Sequence, residues 1–198
     1  LDVYETDFSV DRKSDRSPIT EADRQAHMLI REGLHALEID GYRDLPFLSE
    51  EGVHTPYAER KHWKKYWLVD PLDGTKEFVG RNGEFTVNIA LMENSRPHSG
   101  WVYVPVTDVL YFGTEGGGVR KIENARSVKG SALAAAANNP ASGSSSAPDD
   151  VLRIVASRSH LNRKTKTYID TVGTRLRKNV ETVQAGSSLK LCRIAEGS

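Results

Sequence analysis

A chain of 198 residues that is 38% hydrophobic and 27% charged can bury a core of useful size in one large domain or two small ones, and its composition excludes a disordered tail. Lysine plus arginine equals aspartate plus glutamate at 27 each, so no global field draws in a nucleic-acid polymer and any charge logic must be local. The single cysteine, Cys192, excludes an internal disulfide framework; with no run near the roughly 20 apolar residues of a membrane span, a cytoplasmic protein without an integral membrane segment is expected.

The opening, LDVYETDFSVDRKSDRS, lacks the basic-then-apolar pattern of a secretory leader, and both ends of the chain read as cut. In SPITEADRQAHMLIREGLHAL, a start signal at Thr20 precedes Ala26, Leu29, Ile30, Leu34 and Leu37 at helical spacing, which predicts one amphipathic helix. DLPFLSEE reads as a short strand ending in acid, and HTPYAERKHWKKY as a polar connection into the strand YWLVD. EFTVNIALME, SGWVYVPVT and DVLYFGTEG follow as β-rich runs separated by turn residues such as Asn94, Pro97 and Gly100, which predicts an antiparallel sheet. From Ser131 the composition changes to SALAAAANNPASGSSSAPDD, too small and polar to order itself, and a mobile loop is expected over 131–150. Beyond it, VLRIVASRSH reads as strand then helix start, NRKTKTYIDTVGTRL as helix, and VETVQAGSSLKLCRIAEGS as strand, glycine turn and helix. The expected organisation is an α+β part over 1–130, the loop, and a smaller α/β part over 151–198.

The chemistry concentrates in WLVDPLDGTKEF. Pro71 fixes its own φ and biases Asp70 towards extended geometry, so a sharp turn at the strand end can make Asp70 and Asp73 converge. Two such carboxylates either share a proton or take a cation between them, and magnesium suits hard oxygen ligands. Asp-Gly is equally ordinary turn chemistry. Gly74 and Thr75 open a helix whose unpaired N–H groups suit a phosphate, and Thr75 can orient an attacking water or serve as a plain N-cap. Glu50 and Glu51 can add one carboxylate, since neighbours on a strand face opposite ways. Asp23, three after Thr20, fits a capping box. In AGSSLK, Ser187 and Lys190 lie three apart, as neighbours on one helix face would, and can grip a second phosphate or a ribose. His160, after SRS, can bind phosphate or remain merely exposed.

Together SPITEAD, LSEE, DPLDGTKEF, NGEFTVNIAL, ASRSH and GSSLK resemble the lithium-sensitive, magnesium-dependent superfamily of inositol monophosphatase and fructose-1,6-bisphosphatase, and in particular its 3′(2′),5′-bisphosphate nucleotidase branch, the CysQ type. The resemblance implies a layered αβαβα sugar-phosphatase fold with two or three Mg2+ ions held by Glu50, Asp70, Asp73 and the Leu72 carbonyl, and an outer contact from Asp23. It implies that Thr75 and Glu50 position and deprotonate water, that the Gly74 and Thr75 amides hold the scissile phosphate, and that Ser187, Lys190 and His160 hold a nucleotide. The implied substrate is 3′-phosphoadenosine 5′-phosphate, with a homodimer as a further possibility. Inositol monophosphatase or fructose-bisphosphatase activity is the rival on the same scaffold, and a non-catalytic metal- or phosphate-binding module the rival of another class. Family members continue past AEG into a Trp-Asp motif that completes the metal site, so the 198 residues alone are expected to be poorly active.

Overall fold

In the computed structural model, residues 1–6, 10–12, 18–128 and 150–196 are described. The expected loop over 131–150 lies outside them, Asp150 apart. The elements run α1 (Asp2–Glu5), β1 (Val10–Arg12), β2 (Pro18–Thr20), α2 (Glu21–His35), β3 (Phe47–Ser49), α3 (Tyr57–Arg60), β4 (Lys65–Asp73), α4 (Thr75–Val79), β5 (Thr86–Glu93), β6 (Arg96–Val104), β7 (Val109–Thr114) and β8 (Gly118–Glu123). After a 3-10 turn come β9 (Val151–Ser157), α5 (Arg163–Leu176), β10 (Asn179–Ala185) and α6 (Leu189–Ala195).

The six strands β3 to β8 form one sheet in chain order. Its pairs are antiparallel as expected, with one exception: β3 lies parallel to β4, Phe47 opposite Trp67 and Ser49 opposite Val69. Parallel neighbours need a long crossover, and residues 50–64 with α3 supply it. The polar connection of the sequence reading therefore contains a short helix. β8 was not anticipated, because GVRKIE carries little apolar alternation. It is one of the sheet's two outer strands, where lysine and arginine discourage further pairing, and Gly116 and Gly118, with φ of +74° and +72°, make its hairpin turn.

Alternation along β4 buries Trp67 and Val69 on one face, where they join Leu91 and meet Ile30 and Leu34 of α2 and Leu37 just beyond its end. Leu29, expected on the same stripe, is instead 68% exposed. A second cluster, Leu72, Phe78 and Phe85, packs against Tyr4, whose ring centroid lies 5.1 Å from Phe78 and 5.0 Å from Phe85. A third joins Val104 and Tyr111 of the sheet to Ala185, Leu189 and Cys192.

That third cluster docks the C-terminal part. β9 and β10 pair in parallel, residue 151 opposite 179 through 157 opposite 185, with α5 as the crossover. Asn162 caps α5 by accepting the Thr165 N–H at 3.0 Å, so the helix starts after His160, which sits in the preceding loop and not at a helix start. Glu196, at the far end of α6, accepts from the Tyr111 hydroxyl at 3.0 Å and from Lys121 at 2.8 Å. Among the described residues no helix is long and apolar enough to cross a membrane.

Candidate active site

β4 does not end at Asp70. It continues to Asp73 through fully buried Pro71, with Asp70 opposite Asn88 and Asp73 opposite Thr86. Three steps along β4 match two along β5, so one extra residue is taken up as a bulge, where a proline that donates no hydrogen bond is tolerated. The Leu72 N–H folds back onto Asp70 Oδ1 at 3.2 Å. In place of the turn expected at the strand end there is a bulge within the strand, and the two aspartates line separate cavities, Asp70 one and Asp73 the other.

Asp73 is fixed from two sides: its Oδ2 accepts the Ser188 N–H at 2.5 Å and the Asn88 amide at 3.3 Å. Ser188 Oγ in turn donates to Asn88 Oδ1 at 2.9 Å and lies 2.8 Å from Thr86 Oγ1. Gly74 follows at φ +94°, and a Cβ there would meet Ser187 Cβ at 3.1 Å and Glu77 Oε2 at 3.2 Å, so both conformation and close approach require glycine. Gly74 occupies the N-cap of α4, so Thr75 is the first helical residue and not the cap. The Thr75 hydroxyl donates to Oδ1 of Asp23, a carboxylate only 2% exposed, at 3.5 Å.

The site residues fall into two adjoining cavities. Glu50, just past β3, and Asp70 line one of them with Asn88; Glu51, its neighbour, does not. Asp73, Gly74, Thr75, His160, Ser187 and Lys190 line the other, a cleft of about 560 Å³, within the ~300–1,000 Å³ of small-molecule sites. Asn88 bridges them, since it borders the first and bonds the aspartate of the second. Leu72 lies in the core, and its side chain is no part of either cavity.

Ser187 and Lys190 do not share a helix face. Ser188 is the N-cap of α6, which leaves Ser187 in the turn at φ +45°, its carbonyl accepting from Lys190 Nζ at 2.5 Å and its hydroxyl donating to the Glu84 carbonyl at 2.7 Å. Three contributors escaped the sequence reading. Lys76, which lines the cleft, places Nζ 3.0 Å from His160 Nε2 across 84 residues of sequence. Asn88 and Ser188 are the others; only adjacency to Asp70 across a sheet and to Ser187 in the chain marks them, and neither is a spacing signal.

Among the described residues, no three His, Cys, Asp or Glu side chains stand together as a group that could hold a metal ion. Magnesium commonly takes one or two carboxylates and completes its shell with water and phosphate oxygens, so the hard-oxygen pair Glu50 and Asp70 has the donor chemistry it needs.

An antiparallel-dominated sheet whose acidic, bulged strand runs into a helix start beside a polar cleft with charges of both signs defines the layered phosphatase architecture. The model of the inositol monophosphatase family matches residues 1–198, and the chain belongs to that family. Within it, the chain is 41% identical over 205 residues to the 3′(2′),5′-bisphosphate nucleotidase CysQ of Shigella flexneri, covering 100% of this chain and 71% of that protein. It is 43% identical over 192 residues to the namesake of Salmonella typhimurium, covering 94% and 65%. The structure of CysQ from Bacteroides thetaiotaomicron superposes with a TM-score of 0.79 at 42% identity, over 99% of this chain and 70% of that one. The inositol monophosphatase of Thermotoga maritima, at TM-score 0.70 and 21% identity over 97% and 64%, shares the fold.

Proposed function

We propose that the protein is a magnesium-dependent phosphomonoesterase that hydrolyses 3′-phosphoadenosine 5′-phosphate to adenosine 5′-phosphate and inorganic phosphate. The observation that carries this reading is the cleft lined by Asp73, Thr75 and Glu77 together with Lys76, His160 and Lys190. Asp73 and Thr75 suit a reacting phosphate, and the lysines suit a second anion in the same cleft. The CysQ relatives, named for this activity, support the substrate class.

Glu50 and Asp70, with the Leu72 carbonyl, would hold magnesium, and Asp73, which lines the adjoining cleft, would reach an ion there through Oδ1 because both of its hydrogen bonds fall on Oδ2. When bound, magnesium supplies charge neutralisation at the phosphoryl oxygens and acidifies water. Thr75 donates its hydroxyl proton to Asp23, so a lone pair on the same oxygen is turned outward to accept from the attacking water and orient it. Glu50 takes the water proton as the new P–O bond forms. The bond from phosphorus to the 3′-oxygen breaks opposite, and that oxygen leaves as the ribose hydroxyl with a proton from solvent water, to which Glu50 returns the proton it took. Lys190 and Lys76 bring two ammonium groups to the phosphate that stays, and His160 sits beside Lys76.

The test is phosphate release by the complete gene product with magnesium, with and without lithium, from 3′-phosphoadenosine 5′-phosphate and from inositol 1-phosphate. Lys190→Ala is expected to lower kcat/KM for the nucleotide by about 10- to 100-fold, the worth of a hydrogen bond to a charged group, and to spare the inositol phosphate. Equal losses on both would refute the substrate assignment, and no magnesium-dependent release from any phosphomonoester would refute the enzyme.

A further inference from the structure

The cleft is walled by two parts of the chain, and one side chain that does not line it fastens them together. Glu84, between α4 and β5, takes a bidentate fork from Arg158, with Nε to Oε2 at 2.6 Å and Nη2 to Oε1 at 2.7 Å. The same Oε2 accepts the Gly186 N–H at 2.8 Å, and the Glu84 carbonyl accepts the Ser187 hydroxyl. Arg158 also donates to the Gln184 carbonyl at 3.2 Å, and its own N–H to that of Ala185 at 3.2 Å. Alongside, the Ser159 hydroxyl donates to Glu77, which is 6% exposed.

These bonds grip the two loops that carry the nucleotide wall. Arg158 lies between Ser157 and His160, and Gly186 lies immediately before Ser187 and three residues before Leu189, where α6 begins. Of the cleft residues, His160 and Ser187 lie in these loops, Ser157 ends β9 just before the first, and Ser188, Lys190 and Leu191 follow directly on the second, so all six hang from segments that Glu84 and Arg158 bond. The reacting end has holds of its own, Asn88 on Asp73 and Asp23 on Thr75, and the Ser188 N–H on Asp73 is its tie to the second loop. We propose that Glu84 and Arg158 are positioning residues that set the preference for a nucleotide over a small phosphomonoester by holding these two loops in register. The inference rests on the function proposed above.

The geometry of the fork matters more than its charge, because a planar guanidinium meets two carboxylate oxygens at once and an ammonium does not. Misplacing a binding group by about 1 Å can lose about 100-fold. In the complete gene product, Glu84→Gln and Arg158→Lys are each expected to raise KM for 3′-phosphoadenosine 5′-phosphate at least about tenfold while leaving kcat within a few-fold. Turnover of p-nitrophenyl phosphate, which has no second anion or base, is expected to stay within about twofold. Calorimetric titration of the bisphosphate without magnesium should weaken by the same factor. Parallel losses on both substrates, or unchanged nucleotide binding in Arg158→Lys with a native circular-dichroism spectrum, would overturn the inference. If the unmodified protein binds the bisphosphate but releases no phosphate, the proposed reaction fails and calorimetry alone decides the positioning role; if it binds no nucleotide, both fall.

Discussion

Replacing Gly186 by alanine adds one methyl group at a close approach between the two parts of the chain. Its Cβ would stand 2.5 Å from Glu77 Cγ, 3.0 Å from Glu77 Cδ and 3.1 Å from Glu84 Cβ. Carbon atoms rest about 3.5–4.0 Å apart, so the 2.5 Å contact demands a displacement of roughly 1–1.5 Å. Neither neighbour is free to give. Glu77 is buried and bonded to Ser159, and Glu84 is held by Arg158 and by the Gly186 N–H itself. Overpacking of this kind costs about 1–3 kcal/mol, which in a chain of this size lowers the melting temperature by roughly 2–12 °C. Gly100→Ala is the control, because a Cβ there meets nothing within 4 Å and φ is not positive; it should leave stability unchanged or raise it by up to about 1 kcal/mol. Thermal unfolding followed by circular dichroism, with urea midpoints for both variants, makes the comparison. A Gly186→Ala protein that melts within a degree of its parent would refute the account of this contact.

Burial pushes the Cys192 thiol up to about 11 from 9.0, so at pH 8 the folded protein holds about a hundredfold fewer thiolates than an exposed cysteine would. Ellman's reagent should therefore label the folded protein at least that much more slowly than the protein in urea; equal rates would place the side chain outside the core. Glu84 is held below the usual carboxylate range, first by its hydrogen bond from Arg158. A depressed folded value means that its stabilisation is complete above the unfolded value of 4.5 and disappears as pH falls through the lower folded one. The urea-midpoint gap between the parent and Glu84→Gln should accordingly be constant from pH 7 to 5 and narrow below 4.5. A gap independent of pH would show that packing, not the charge pair, is lost.

The sequence made the long elements readable because their patterns are local. The stripe Ile30, Leu34, Leu37 and the alternation Trp67, Val69 each repeat a fixed period, and each found its core. Gly74 and Thr75 were legible as a helix start for the same reason. What sequence concealed was relational. The parallel pairing of β3 depends on a crossover, and the bulge at Pro71 shows only against the register of β5. Lys76 with His160, and Glu84 with Arg158, lie 84 and 74 residues apart, and no spacing rule links such pairs. The division of the carboxylates, with Glu50 and Asp70 in one cavity and Asp73 in the next, is likewise a property of how strands sit side by side.

The helix α6 is tethered at both extremities, by Ser188 to Asp73 and Asn88 and by Glu196 to Tyr111 and Lys121. A segment pinned twice cannot swing outward as a door. The rim it forms is therefore already shaped when a ligand arrives, little disorder remains to be frozen out, and capture should proceed in one kinetic phase whose rate climbs linearly with ligand concentration.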